Sequence, residues 1–500
     1  MAKYDKDYSS PDTMSQETAF KVWGENKRGV DQWNAENLSN PKFKYRYSKQ
    51  LDSFDDLTAK QYYASPIENG YVRASAGTSA GIIPTQNGGN FLFRVVGDAK
   101  TPLDTYVRGL PTSRATCPSA PGRPCDWSDR LPVPEDQGDC QSCFVFGAVA
   151  AAEGAMAAVQ NLPPKIIVVQ NLPPKIIYER SISLSKMQVM TTPWRKEGSS
   201  SWSNCPKASN PTPPNAALLS SEKCCKGGNG LGAGCGGPPP GGDEIPVAPC
   251  PTSASLLEVA EKRSPLHPET KNQMMTRETW PGQPCSGGDE ALVASWISLS
   301  KSGSLCSSAT FPYNVNNWRT STLGYCSTCQ KKVEFTKQPI AFIAERRTLL
   351  HLKDEKGGDI TQFVSNEELL MKVLDIQPVA VAVRCVAYDS FGRGIPGTTD
   401  SDRKNLFAKA GTGAHSLLLV GYGTCVDAVT TPECTTETSP EDVSPGQKYW
   451  KLKDSAGTKN RDKGYVYLPR GDPLFGPEGP CGMFAEAPPL GMDLSGVKIL

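Results

Sequence analysis

Between Gln137 and about Val159 the chain reads QGDCQSCFVFGAVAAAEGAMAAV, and no other stretch limits the fold as much. After Cys143 the run is Ala, Val, Phe, Met and Gly with one charge, Glu153. Apolar residues fall on every side at helical spacing, which predicts a helix buried all round, not a surface amphipath. At about 17 residues and broken by Gly, it is too short to span a membrane. Cys143 falls in its first turn. The free N–H groups and positive dipole end there favour negative charge, the nucleophilic form of a thiol. Cys143 is the first candidate for chemistry.

The 500 residues allow two to four domains. With 53 basic and 52 acidic side chains the net charge is +1, which argues against nucleic acid or a membrane as the main partner. The N-terminal MAKYDKDYSSPDTMSQET is polar and lacks the pattern of a signal peptide. The 17 cysteines, all at or after position 117, nevertheless suit an oxidising compartment, and the odd number leaves one thiol over.

Residues 1–14 read as a disordered tail. AFKVWGENKRGVDQWNAENL, with Phe20, Trp23 and Trp33 among charges, predicts a helix, and Thr58 is placed to cap a short one. Residues 65–125 are Gly/Ser/Pro-rich and read as a linker, with a boundary near 105–120. After the buried helix, VQNLPPKIIV and VQNLPPKIIY at 159–178 form a ten-residue tandem duplication, too short for a solenoid and read as a longer loop. Ser185 to Gln188 is a capping box for a short helix. Residues 191–284 read as a surface insertion rich in Pro, Gly and Cys; Cys224, Cys225, Cys235 and Cys250 lack paired CxxC spacing, so no metal or other cofactor is expected. A helix carries Leu292, Trp296 and Leu299 on one face and stops at Gly303, and a capping box at Ser365–Glu368 opens another. Strands are expected at 379–383, 415–423, 448–454 and 464–471. Helices first and an antiparallel sheet after them imply an α+β fold of two lobes, with a site between the lobes.

Cys143 needs a base, and there are three histidines, His267, His351 and His415. His267 lies in the insertion and His351 in a polar stretch. His415 opens an apolar strand after the small-residue loop GTGA, where it can face Cys143 across a cleft.

Several ordered segments carry a resemblance. Gln137-Gly-Asp-Cys140-Gln-Ser-Cys143-Phe resembles the Q-G-x-C-G-S-C-W segment of the papain-like cysteine peptidases, the cathepsin family. Cys285-Ser-Gly287-Gly288 resembles their C-x-G-G, Phe311-Pro-Tyr313 their Y-P-Y, and Ala414-His415-Ser416 through Gly423 their N-H-A-V…V-G-Y-G strand. Asp454-Ser-Ala-Gly-Thr458 resembles N-S-W-G-T, Cys481-Gly482 the terminal C-G, and Asp126-Trp127 the D-W near the mature start. Phe54-Asp-Asp-Leu57-Thr58 with Tyr62-Tyr63 resembles a motif of the inhibitory prosegment.

The resemblance implies a zymogen: a prosegment and linker at 15–110, a papain-like peptidase domain at 111–490 and a tail at 491–500. It implies Cys143 as nucleophile, His415 as imidazolium partner, Gln137 as oxyanion donor and Asp454 in place of the Asn that orients the histidine. Gly287 and Gly288 are implied to line the substrate backbone. Glu486, with Asp289 near it, is implied as an acid of the S2 pocket that accepts basic residues at P2. Cys140 is implied to pair with Cys285, and an insertion cysteine, Cys205 or Cys224, with Cys326 or Cys329. Cys425 and Cys434 flank a short hairpin loop and are candidates to pair, while the family's usual partner for Cys481 is not found. The partners implied are peptide or protein substrates and the chain's own propeptide, acting on a monomer in a lysosomal, vacuolar or secreted setting. The departures are Gln141, Phe144, Asp454, Ala456 and Asn460. Losing the Trp at 456 predicts a more hydrated His–Asp contact. A catalytically degenerate relative acting as a binding or inhibitory module, and a secreted disulfide-rich structural protein, are the competing readings.

Overall fold

In the computed structural model of the protein, the described residues are 15–38, 47–49, 82–84, 93–160, 165–167, 175–177, 180–191, 285–299, 304–313, 332–353, 359–385, 391–396, 414–435 and 445–500, apart from the single positions 139, 286 and 311. Six helices matter here: α1 (Gln16–Leu38), α2 (Leu103–Arg108), α3 (Cys143–Gln160), α4 (Lys186–Thr191), α5 (Glu290–Leu299) and α6 (Glu367–Leu374). The main sheet is built from β1 (Arg94–Val96), β2 (Cys125–Asp126), β3 (Ile340–Phe342), β4 (Val379–Val383), β5 (His415–Thr424), β6 (Lys448–Lys453), β7 (Tyr465–Pro469) and β8 (Leu490–Gly491).

The helix that organised the sequence is the organising element of the fold. Every residue of α3 from Cys143 to Ala158 is buried. The expectation that it is too short to span a membrane is corrected: by length and composition it is long and apolar enough, but that surface is spent inside the protein, against α5, β4 and β5. Small residues let neighbours close in: a Cβ at Gly154 would lie 3.0 Å from Pro378, the residue that leads into β4.

The sheet runs β7-β6-β5-β4-β8-β3-β1, with β2 added to β5. It is an open sheet, not a closed barrel; its pairs are antiparallel except β1 with β3. The alternating and fully apolar runs read from sequence at 379–383, 415–423, 448–454 and 464–471 all form strands of this sheet. In register, His415 sits opposite Val383 and Leu418 opposite Lys453, so β4 and β6 both finish at the His415 end of β5.

Several local expectations are revised. Helix α6 is capped by Asn366, whose Oδ1 accepts the Leu369 N–H at 2.8 Å, while the Ser365 N–H goes to the Phe484 carbonyl. The duplicated decapeptide is not a plain loop: Lys165–Ile167 and Lys175–Ile177, the same Lys-Ile-Ile in each copy, pair antiparallel as a ribbon. Residues 93–110, read as linker, supply Phe93, Val96, Leu103, Tyr106 and Leu110 to the core. Residues 491–500, read as a tail, are also packed: Leu494 is buried, Asp493 Oδ2 lies 2.9 Å from Arg94 Nη2, and Val497–Ile499 pairs with Lys332–Phe335. At the N-terminus, the Ser15 hydroxyl accepts the Thr18 N–H at the start of α1. Two short strands downstream, Tyr47–Lys49 and Ile82–Pro84, add to Phe391–Gly394 and Asp359–Val364. The tail at 1–14, Thr58, the prosegment motif at 54–63 and the insertion at 192–284 with its cysteines lie outside the described residues.

Candidate active site

Cys143 is the first residue of α3, fully buried, and the one free cysteine among the described residues. The loop before it is held at both ends. Gly138 has φ +56°, and its N–H is accepted by Asp136 Oδ1 at 2.8 Å, which makes a tight turn. Cys140 is disulfide-bonded to Cys285, so the loop is tied to the segment that leads into α5.

His415 and Asp454 meet because β5 and β6 are neighbours. His415 opens β5, Asp454 follows β6, and Nε2 lies 2.9 Å from Asp454 Oδ1. With Nε2 taken, Nδ1 is the ring atom left for the thiol, and Cys143 is close enough to His415 to act on it by hydrogen bond and charge. Burial pushes the imidazolium toward losing its proton, but the hydrogen bond to Asp454 and the influence of Cys143 outweigh it and raise His415 to about 10. Burial likewise opposes ionisation of Asp454. The hydrogen bond and charge of His415, the charge of Arg461 and the Ser455 N–H prevail and hold the carboxyl well below its usual range.

Asp454 is fixed from several directions: its own N–H donates to the Gly464 carbonyl at 2.9 Å, the Ser455 N–H donates to Oδ1 at 2.6 Å, and Arg461 Nε donates to Oδ2 at 3.4 Å. Arg461 is buried and sits at φ +56°. The expectation of a hydrated His–Asp contact is therefore corrected: His415, Asp454 and Ala456 are all buried, and a second cation lies against the carboxylate. That cation also gives an aspartate at 454 a physical reason, since an asparagine would leave Arg461 facing a neutral amide.

Gln137 is fully buried. The Ser455 hydroxyl donates to its Oε1 at 2.5 Å, which fixes the amide so that Nε2 is the donor side. One Nε2 hydrogen goes to the Cys140 carbonyl at 2.8 Å. The Gln137 N–H donates to the Ser455 carbonyl at 2.8 Å, so the residue beside Asp454 and the loop before Cys143 are stitched together.

The residues assigned to substrate contact are spread differently. Gly287 adopts φ +85°, and a Cβ at Gly288 would lie 2.4 Å from the Phe144 ring, so each glycine has its own local reason. Asp289 Oδ1 accepts the Ala291 N–H at 2.7 Å at the start of α5. Glu486 is buried and bound by Arg384, which directly follows β4. Cys425 and Cys434 are disulfide-bonded. Cys481, for which the sequence suggested no partner, bonds to Cys385, two residues past β4, and a further bridge joins Cys117 and Cys125.

Sequence reasoning missed the charged cluster under the site. Glu153, the lone charge of α3, accepts the Leu184 N–H at 2.9 Å and pairs with Lys186 at 2.6 Å and Lys453 at 3.4 Å. Burial opposes its ionisation, and the two ammonium groups reverse that. The signal was present as a single acid in a wholly apolar helix, which must be paired to be tolerated. Among the described residues no group of acids, histidines and cysteines is arranged to hold a metal.

Part of the chain is similar to known proteins. The model of the papain family cysteine protease matches residues 262–487, a span that holds His415, Asp454, the Gly287-Gly288 pair and Glu486 but not Cys143 or Gln137. The chain is similar to vignain from Ricinus communis, 29% identical over 126 residues, or 25% of this chain and 27% of that relative, so it spans about a quarter of that protein's length. Among solved structures it is similar to digestive procathepsin L 3 of the Tenebrio molitor larval midgut, with 16% identity, a TM-score of 0.45 and coverage of 98% and 95% of the two chains. It is also similar to a recombinant stem bromelain precursor, with 16% identity, a TM-score of 0.44 and the same coverage. The family match covers less than half of the chain, and what the described residues show beside it is an α+β arrangement, a buried helix set against an open, mostly antiparallel sheet.

Proposed function

We propose that the chain is a cysteine endopeptidase made as a zymogen. The observation that carries this reading is the convergence of Cys143, the one free thiol of the described residues, on His415, which Asp454 holds by Nε2. As a thiolate, with its proton on His415, Cys143 would attack the peptide carbonyl to form a thioester, and the imidazolium, charged throughout the neutral range, would give that proton to the leaving amine; water would then hydrolyse the thioester. Gln137 Nε2, oriented by Ser455, and the N–H groups at the start of α3 would stabilise the oxyanion. The propeptide assignment draws support from the strands Tyr47–Lys49 and Ile82–Pro84, which pair with later segments of the chain. We assign the domain limits at 15–110 and 111–490 on the same basis, with 93–110 bound into the core. Gly287 and Gly288 are assigned to the substrate backbone, and Glu486 with Asp289 to P2, where Arg384 already occupies the Glu486 carboxylate. A lysosomal, vacuolar or secreted setting accords with four described disulfides. Hydrolysis of fluorogenic dipeptides by the acid-treated chain tests the reading. Activity lost in Cys143→Ser and in His415→Ala supports it; activity that survives Cys143→Ser assigns the chemistry elsewhere.

A further inference from the structure

Glu290 is a buried acid that the mechanism does not use. It is the first residue of α5 and is 1% exposed. Its Oε2 accepts a hydrogen bond from Ser416, the residue after His415 on β5. Among the described residues its Oε1 has no hydrogen-bond partner and no cation pairs with it. The third wall is Gly147, one turn along α3 from Cys143. A Cβ there would lie 2.1 Å from Ser416 Oγ and 3.4 Å from Glu290 Oε2, so the helix makes room for this contact by having no side chain. The acid thus bridges α5 and β5 about one helical turn below the nucleophile.

We propose that Glu290 is a positioning residue for the Cys143–His415 pair: by accepting the Ser416 hydroxyl it holds Ser416, and with it the start of β5, against α3, and its ionisation tightens that bond while placing a buried charge about one helical turn from the pair. The proposal rests on the active-site assignment above. Asp289, on its own segment, is the charged group that acts on it; the neighbouring elements carry Cys143 and Glu153 on α3, His415 on β5 and, at the end of β6, Lys453, which is paired with Glu153. Burial raises Glu290 to about 8; the Ser416 hydrogen bond opposes this and Asp289 adds to it. A carboxyl raised in this way stabilises the fold fully below its ordinary value, and that contribution is lost as pH climbs through about 8.

The test uses the full chain with labelled histidine rings, in wild type, Glu290→Gln, Ser416→Ala and Cys143→Ser. Glu290→Gln keeps the size and the hydrogen bond but cannot ionise. The His415 resonance of the wild type is expected to show a perturbation centred near pH 8, lost in Glu290→Gln, and the unfolding midpoint is expected to fall between pH 6 and 9 more steeply in wild type than in Glu290→Gln. Ser416→Ala is expected to uncouple the two, keeping the steep unfolding profile while the His415 perturbation shrinks. Superimposable His415 curves in wild type and Glu290→Gln overturn the proposal. A His415 that titrates at an ordinary imidazole value, alike in wild type and Cys143→Ser, overturns the active-site assignment instead.

Discussion

Replacing Asp454 with Asn probes the charge behind the histidine while keeping its shape. In the wild type, His415 Nε2 meets a carboxylate at 2.9 Å, and both residues are buried. An amide oxygen can accept the same hydrogen bond, so orientation survives. A hydrogen bond to a charged group is worth about 1.5–3 kcal/mol and one between neutral groups about 0.5–1.5, so the substitution removes about 1–2 kcal/mol that favours the imidazolium. At about 1.4 kcal/mol per pH unit this lowers His415 by about one unit, from about 10 to about 9. The sign follows: a raised histidine stabilises the fold fully below its ordinary value and ceases to do so as pH rises through about 10, so Asp454→Asn is expected to be less stable than wild type at neutral pH, and the difference shrinks at strongly alkaline pH. Arg461 adds a second penalty, because its partner becomes neutral while it stays buried. With three histidines in the chain, a ring-labelled sample resolves each titration, and His415 is assigned from His415→Gln. A His415 midpoint unchanged in Asp454→Asn refutes the reasoning, as does a wild-type midpoint at the ordinary imidazole value.

Other perturbations follow from the same contacts. Gly288→Ala drives a methyl to 2.4 Å from the Phe144 ring and is expected to cost about 1–3 kcal/mol in thermal unfolding, with partial recovery in the double variant carrying Phe144→Leu. Glu153→Ala leaves Lys453 without its carboxylate and Lys186 with Glu135 alone, at 3.3 Å, and is expected to cost about 3–5 kcal/mol in denaturant unfolding, whereas Lys372→Ala, at an exposed pair with Glu368, is expected to leave stability unchanged. Loss of the Cys385–Cys481 bridge, which closes a separation of 96 residues, is expected to cost about 2–4 kcal/mol and to loosen the segment that carries Arg384 and Glu486.

What the sequence disclosed depended on the range of the interaction. The helix from Cys143 was legible because sixteen consecutive buried residues leave an apolar record on every face. The strands at 379–383 and 415–424 were legible for the same reason, and His415 by elimination among three histidines. The parts that escaped are set by distant pairings. Arg94–Val96 is three residues long and becomes a core strand only through Ile340–Phe342. Arg461 is an unremarkable basic residue until the turn after Asp454 folds it back onto that carboxylate. Arg384 and Glu486 lie about a hundred positions apart, with nothing in either neighbourhood to announce the pair. The Asn366 cap shows the same lesson at short range: two adjacent residues can both cap, and the Phe484 carbonyl, by taking the Ser365 N–H, favours the second. The ribbon formed by the duplicated decapeptide was hidden by the two prolines in each copy, which read as breakers while the Lys-Ile-Ile beyond them pairs.

The central claim is that Cys143 is a nucleophile armed by His415. Intact-mass analysis of the chain treated with an epoxysuccinyl inhibitor, before and after acid treatment, tests it most directly. The account predicts a single adduct on Cys143 that appears after acid treatment, is absent from Cys143→Ser and is slowed strongly in His415→Ala. An adduct that persists in Cys143→Ser, or no adduct on the wild type under any condition, contradicts it.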